Sequence, residues 1–204
     1  MKGLKRLEYR GYDSAGIAIV NPETKNIICN KAEGKLKNLI KNLNDKNMPG
    51  TVGIGHTRWA THGTPEEKNA HPHITDKVAV VHNGIIENYS VLKTVLENKG
   101  YQFESETDTE VLVQLISDIY YSDGLEFSQA VQIALNEVVG SYGIVTFCND
   151  EPNQLVAARL GSPLVLGIGE NEYFVASDAS PIVEHTRNVV YLDEGEMVTI
   201  SNDG

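Results

Sequence analysis

Thiols, indoles and basic residues are all scarce here: two cysteines, one tryptophan, and 17 Lys and Arg against 28 Asp and Glu in 204 residues. Two cysteines, Cys29 and Cys148, are too few for a disulfide-stapled scaffold and suit a reducing compartment. They form no CxxC and no Cys–His spacing of the zinc type. A net charge of −11 disfavours phosphate backbones and anionic membrane surfaces, so neither nucleic acid nor membrane is expected as a partner. Long apolar runs are missing as well. None approaches the roughly 18 residues of a membrane span, and Lys2, Lys5 and Arg6 stand where a signal peptide needs an apolar core. The expected location is cytoplasmic.

What is present is an ordinary globular balance, 41% hydrophobic and 22% charged, which excludes a disordered chain and suffices for one well-buried core. Met1, Leu4 and Leu7 have helical spacing, in a helix that looks cut rather than capped. Ala15–Val20 reads as a strand with a hairpin partner at Ile27–Cys29, and Leu36, Leu39, Ile40 and Leu43 stripe a surface helix. Strands are predicted over 51–56 and 77–82, bracketing a polar loop over 61–75. Three helices then follow. Val91, Leu92, Val95 and Leu96 stripe the first, Val111 to Ile119 the second, and Phe127 to Val138 the third. The second opens at Thr107-Asp108-Thr109-Glu110, which has capping-box spacing. The rest is nearly all strand, with short turns rich in Gly, Asn, Asp and Pro. Strands at both ends with helices grouped between them predict an α+β domain with antiparallel sheets. No internal repeat or linker divides it.

Chemistry concentrates in Gly55-His56-Thr57-Arg58-Trp59-Ala60-Thr61-His62-Gly63 and in His82-Asn83-Gly84. His56, His62, His71, His73 and His82 crowd together, and only His185 lies elsewhere. A metal is the tempting reading. No HExxH accompanies these histidines, and His71-Pro72-His73 should point its two rings apart, so neither metal nor cofactor is expected. The histidines are expected instead to hydrogen-bond loop backbone around a polar pocket. Arg58 alone reads as a surface ion-pair partner and Trp59 as a core indole. Side by side in a Gly-bounded loop they suit bidentate capture of a carboxylate beneath an aromatic lid. Asn83-Gly84 reads equally as a hairpin turn or as an oxyanion hole built from an amide and a backbone N–H. Asp108 either serves the helix N-terminus or binds a substrate ammonium. Jointly these groups describe a site for a free amino acid.

These segments, with Glu8–Gly16, Asn69–His73, His82–Asn88 and Ser105–Glu110, resemble the glutaminase domains of the glutamine:fructose-6-phosphate amidotransferases (isomerising), the glucosamine-6-phosphate synthases. The resemblance covers essentially the whole chain, and its several motifs occur in the right order. Trp59 with Thr61-His62-Gly63 separates it from the phosphoribosyl-pyrophosphate amidotransferases. It implies an N-terminal-nucleophile (class II amidotransferase) fold, a four-layer sandwich of two antiparallel sheets between helix layers. Arg58 and Asp108 would hold the carboxylate and amine of L-glutamine, and Asn83 and Gly84 would form the oxyanion hole. Trp59, Thr61 and His62 would belong to a loop that closes over the substrate.

One element of the family pattern is missing from this sequence. Family members open with a cysteine whose thiol attacks the amide and whose α-amine serves as base, on a strand preceding the helix at which Met1 stands. Neither Cys29 nor Cys148 matches it. The chain is therefore expected to be a fragment of a longer protein, or a reading frame begun at an internal methionine, inactive as it stands. The parent is expected to hydrolyse glutamine, to pass ammonia to sugar-phosphate isomerase domains absent here, and to be a homo-oligomer. The alternative is a non-catalytic module that binds glutamine or glutamate, or the glutaminase domain of another class II amidotransferase.

Overall fold

Ser14–Val20, apolar from Ala15 onward, forms β1, the middle strand of a three-stranded sheet in the computed structural model, which describes residues 1–44, 46–60 and 63–201. β2 (Ile27–Glu33) and β3 (Gly53–Arg58) flank it, both antiparallel. One face of this sheet takes the apolar stripe of α2 (Leu36–Leu43), where Leu36 and Leu39 are buried with Ala15, Ala32 and Leu4 of α1 (Lys2–Leu7).

The larger sheet is built from β4 (His73–Ile74), β5 (Val78–Ile86), β6 (Gly140–Cys148), β7 (Gln154–Leu160) and β11 (Met197–Ser201), in the order β11-β7-β6-β5-β4. Successive strand residues point to opposite faces, and β5 uses both. Val78 and Val80 meet Leu112 and Ile116 of α4 (Asp108–Asp123) in a core shared with α3 (Tyr89–Asn98) and α5 (Phe127–Asn136). Ala79 and Val81 face the other way, with Val145, Phe147 and Ala157, against Ala18, Val20 and Ile54 of the smaller sheet. A near-continuous apolar run, rather than strict alternation, is what a strand covered on both faces requires.

A third piece, β8 (Val165–Ile168) between β9 (Tyr173–Ala176) and β10 (Val189–Tyr191), contributes Leu164 and Leu192 to that same inter-sheet core. The order is therefore helix, sheet, sheet, helix, and every paired strand is antiparallel. The second sheet layer consists of two three-stranded pieces whose end strands are β3 and β9. Arg10, in the short 3₁₀ turn before β1, reaches Asp178, just after β9, with Nη1 3.1 Å from Asp178 Oδ2.

The sequence-predicted elements are all present, with two differences. The polar loop over 61–75 contains a short 3₁₀ turn at Glu67–Asn69 and the two-residue strand β4. β5 runs on through Asn83 and Gly84 to Ile86, paired residue for residue with β6, so Asn83-Gly84 is not a hairpin turn. At α4, Thr107 Oγ1 accepts from Glu110 N–H as the capping box requires. The Glu110 carboxylate reaches further back, to the N–H groups of Glu104 (2.9 Å) and Ser105 (2.6 Å). Among the described residues no helix is long and apolar enough to cross a membrane.

Candidate active site between the two sheets

A cavity of ≈ 970 Å³ opens between the two pieces of the second sheet layer, lined by every residue of β3 and of β9. Its floor comes from β5, through Asn83 and Gly84, and from the start of α4, through Thr107, Asp108 and Thr109. Arg58, Trp59, Asn83, Gly84 and Asp108, widely spaced in the sequence, thus converge on one space.

Arg58 ends β3 opposite Ser14 of β1 and is buried, with 5% of its surface exposed. Its Nη1 donates to Thr64 O at 3.2 Å. Burial pulls the guanidinium below its ordinary value, and the carboxylates of Asp13 and Asp108 oppose that. Asp108 is the first residue of α4, where aligned peptide dipoles favour a carboxylate. It too is buried, and its Oδ2 accepts the Ile86 N–H at 2.8 Å. A buried cation and a buried anion therefore line one cavity, a setting in which charge-assisted hydrogen bonds are strong.

Gly84 has φ +135, and a Cβ there would lie 2.1 Å from Ser141 O, so only glycine fits while β6 runs this close. Asn83 takes its side-chain contact from β3, across the two sheets: its Oδ1 lies 2.9 Å from His56 Nε2.

The histidines form a connected system. His71 Nε2 (2.9 Å) and His82 Nδ1 (3.0 Å) both meet Thr109 Oγ1, and His82 Nε2 faces Ser141 O at 3.4 Å. A carbonyl only accepts, so His82 donates Nε2–H to Ser141 O, and the one Thr109 hydroxyl proton is shared between His82 Nδ1 and Asp108 Oδ1, 3.4 Å away. Thr109 then accepts from His71 Nε2–H. Burial pushes the His56 imidazole down to about 4, and pushes His71, His73 and His82 below their ordinary value. Lys31, Arg58 and the neighbouring imidazoles add to it, while Asp108 pulls His82 back.

Two expectations need correction here. Among the described residues, and apart from the Ser141 and Asn69 carbonyls, the partners of His56, His71, His73 and His82 are side chains, Asn83, Thr107 and Thr109, rather than loop backbone. His71 and His73 do not point apart: their rings stand edge to face with centroids 5.0 Å apart. The reason is α4, whose Thr107 and Thr109 receive His73 and His71 respectively. Among the described residues no group of His, Cys, Asp or Glu is placed to hold a metal ion.

Trp59 is not a core indole. It is 56% exposed at the cavity rim, with its ring 5.3 Å from that of Tyr12 in an edge-on arrangement. Thr61 and His62 lie outside the described residues. Neither cysteine lines the cavity. Cys29 lies on β2 and Cys148 is fully buried on β6, and burial raises both thiols. The sequence also gave no sign of the wall formed by β9, an ordinary apolar strand, nor of Thr109, marked only by its place in a helix cap.

The glutamine amidotransferase domain family matches residues 56–184, more than half of the chain and most of the cavity's polar residues. The chain is 54% identical over 203 residues to the glutamine–fructose-6-phosphate aminotransferase [isomerizing] of Bacteroides thetaiotaomicron, covering 98% of this chain and 33% of that one. It is 53% identical over 209 residues to the protein of the same name from Chlorobaculum tepidum, covering 100% of this chain and 34% of that one. The chain thus spans about a third of the length of these curated relatives. Among solved structures, glutamine phosphoribosylpyrophosphate amidotransferase from B. subtilis, complexed with ADP and GMP, superposes with TM-score 0.82 at 28% identity. That match covers 100% of this chain and 44% of that one. A structure of the allosteric regulatory enzyme of purine biosynthesis gives 0.83 at 29%, with the same coverage. Taken with the helix–sheet–sheet–helix order and a polar site between the sheets, these matches establish an N-terminal-nucleophile α+β fold, and the chain belongs to the glutamine amidotransferase domain family.

Proposed function

We propose that this domain binds L-glutamine in the cavity and hydrolyses its side-chain amide. In the full-length protein the ammonia would pass to sugar-phosphate isomerase domains that make glucosamine 6-phosphate from fructose 6-phosphate. The observation that carries this reading is the convergence of Arg58, Asp108 and Asn83-Gly84 on one cavity. Arg58 supplies a cation for the α-carboxylate and Asp108 an anion for the α-ammonium. Asn83 and Gly84 supply amide donors where charge develops on the carbonyl oxygen. Trp59, exposed at the cavity rim, closes over bound glutamine. That the relatives are glutamine–fructose-6-phosphate aminotransferases supports the choice of acceptor.

The nucleophile belongs to residues preceding Met1. We place there a strand that enters between β3 and β9 and opens with a cysteine. Its α-amine takes the thiol proton, and sulfur attacks the amide carbon. The C–N bond breaks as that proton passes to the leaving ammonia. Water then cleaves the thioester to glutamate and frees the thiol. The parent is proposed to be a cytoplasmic homo-oligomer. The 204-residue chain alone is proposed to bind glutamine or glutamate without turning it over, a reading favoured by the absence of Cys29 and Cys148 from the cavity lining.

The test is glutamate release from glutamine, measured for the 204-residue chain and for the full-length protein. Release is expected only from the latter, and is lost there when its opening cysteine becomes alanine. Turnover by the 204-residue chain that disappears on changing Cys29 or Cys148 would place the nucleophile elsewhere.

A further inference from the structure

Asn83 carries an amide whose two ends do opposite things. Turned one way it offers N–H groups to a developing oxyanion; turned half a turn it offers a carbonyl that repels one. Nothing in the covalent structure chooses between them, and a strand position alone does not either. The choice has to come from the group that touches the amide. The partner that the described residues provide is His56, whose Nε2 lies 2.9 Å from Asn83 Oδ1.

We propose that His56 is a positioning residue for amide hydrolysis: as the neutral Nε2–H tautomer it donates to Asn83 Oδ1 and so fixes Asn83 Nδ2–H₂ toward the cavity. The proposal rests on the reading of Asn83 as an oxyanion donor. With the proton on Nδ1 instead, Nε2 becomes an acceptor, captures Nδ2 and turns the carbonyl to the substrate.

The fold builds this contact in three steps. His56 on β3 lies opposite Gly16 of β1. Because Gly16 has no side chain, the His71 carbonyl can approach to where a Cβ would stand 2.2 Å away. The His71 ring then packs on the His56 ring with centroids 4.5 Å apart and planes 35° apart, and His71 is itself held by Thr109. His71 thus packs on the face of the His56 ring, whose Nε2 edge meets Asn83. The His56 Nδ1 is buried and has no hydrogen-bond partner among the described residues. An unpaired buried N–H is rarer than an unpaired acceptor, which favours leaving Nδ1 bare and placing the proton on Nε2. Burial and the nearby Arg58 charge keep the ring neutral at ordinary pH.

The test compares His56→Leu, His56→Gln and Asn83→Ala, singly and with His56→Leu and Asn83→Ala combined, in the full-length protein. Loss of the donor in His56→Leu is expected to lower kcat with KM unchanged, within the roughly 10–100-fold that losing an orienting partner costs at metal sites. His56→Gln, which keeps an N–H near the same place, is expected to recover most of it. The double variant is expected to be no worse than Asn83→Ala alone, since the two residues act through one group. If Asn83→Ala loses kcat while His56→Leu does not, or if the losses add, the positioning role is overturned and the oxyanion role stands. If Asn83→Ala itself keeps full kcat, the oxyanion role falls and the positioning role falls with it. ¹⁵N spectroscopy of the histidine rings reads the tautomer directly, even where His56→Leu fails to fold. An Nε2–H signal is expected, and an Nδ1–H signal for His56 overturns the proposal.

Discussion

The Asp108 carboxylate accepts the Ile86 N–H at 2.8 Å, which ties the first residue of α4 to the strand that carries Asn83 and Gly84. One side chain therefore has two separable tasks, a structural one through Oδ2 and the proposed ammonium contact through its charge. Asp108→Asn keeps an oxygen for Ile86 N–H and loses the charge. It is expected to melt close to the parent and to lose most of kcat/KM. Asp108→Ala leaves a buried N–H without its acceptor and is expected to cost about 1–3 kcal/mol of stability in addition. Urea titrations of both variants decide this. Equal midpoints would show that the Ile86 contact carries nothing, and full kcat/KM in Asp108→Asn would remove the ammonium role.

Arg58 and Asn83 should fail in different kinetic parameters. Removing one partner of a desolvated charge pair costs roughly 2–5 kcal/mol, so Arg58→Ala in the full-length protein is expected to lose kcat/KM heavily, mainly through glutamine capture. An oxyanion donor matters most in the transition state, so Asn83→Ala is expected to lose about 10²–10³ in kcat. Steady-state kinetics with glutamine as the varied substrate separates the two. Intact kcat/KM in Arg58→Ala, or a change confined to KM in Asn83→Ala, would undo these assignments.

The layers were legible in the sequence because apolar periodicity records burial. The unbroken run at Val78–Val81 tells of a strand covered on both faces, and the stripe at Leu36, Leu39 and Leu43 of a helix covered on one. Side-chain direction inside the site was not legible. Whether His71 and His73 diverge depends on Thr107 and Thr109 standing on one helix end to receive them, a long-range fact that no local spacing carries. Asn83-Gly84 has the composition of a tight turn, and only pairing with β6 through Gly140–Gly143 keeps it extended.

Stability should fall as the solution is acidified from neutrality, and the histidine system is the cause. His56, His71, His73 and His82 are all held below their ordinary value in the folded chain. As pH drops through about 6.5 the unfolded chain takes up protons first, so unfolding is favoured until the folded value is reached. For His56, with a folded value of about 4, the loss is at most about 3 kcal/mol, complete by that pH. Denaturant midpoints between pH 7.5 and 4.5 are the measurement. His56→Gln is expected to flatten the curve, and an unchanged slope would show that His56 titrates normally in the folded protein.

Gly84 and Gly100 offer a paired comparison of backbone strain with and without a clash. Both have positive φ, +135 and +98, but a Cβ at Gly84 would meet Ser141 O at 2.1 Å while one at Gly100 meets nothing within 4 Å. Gly100→Ala is expected to cost the strain alone, about 1–3 kcal/mol. Gly84→Ala must also push β5 from β6 and should cost clearly more. It should also depress kcat by moving Asn83. Thermal melts of the two variants are the check, and equal losses would mean that the β5–β6 approach at Gly84 is looser than described.

The proposed strand before Met1 makes a prediction that needs no catalysis. β3 and β9 end their sheet pieces, and each lines the cavity along its whole length. A strand entering there would pair with both, and six residues would span roughly 20 Å at about 3.3 Å each. Ile17, Ile54, Val81, Val145, Leu164 and Val175 would meet its side chains. Without that strand the two edges are templates for pairing with other chains, a route to aggregation. The protein carrying its preceding residues is therefore expected to melt higher, by roughly 2–4 °C for each kcal/mol gained, and to stay monodisperse at concentrations where the 204-residue chain aggregates. Hydrogen exchange localises the effect: amides of β3 and β9 should gain protection, while those of β6, already paired on both sides, should change least. Equal melts, with no gain in protection at β3 or β9, would show that the preceding segment does not enter the cavity, and the nucleophile would then have to reach Asn83 by another path.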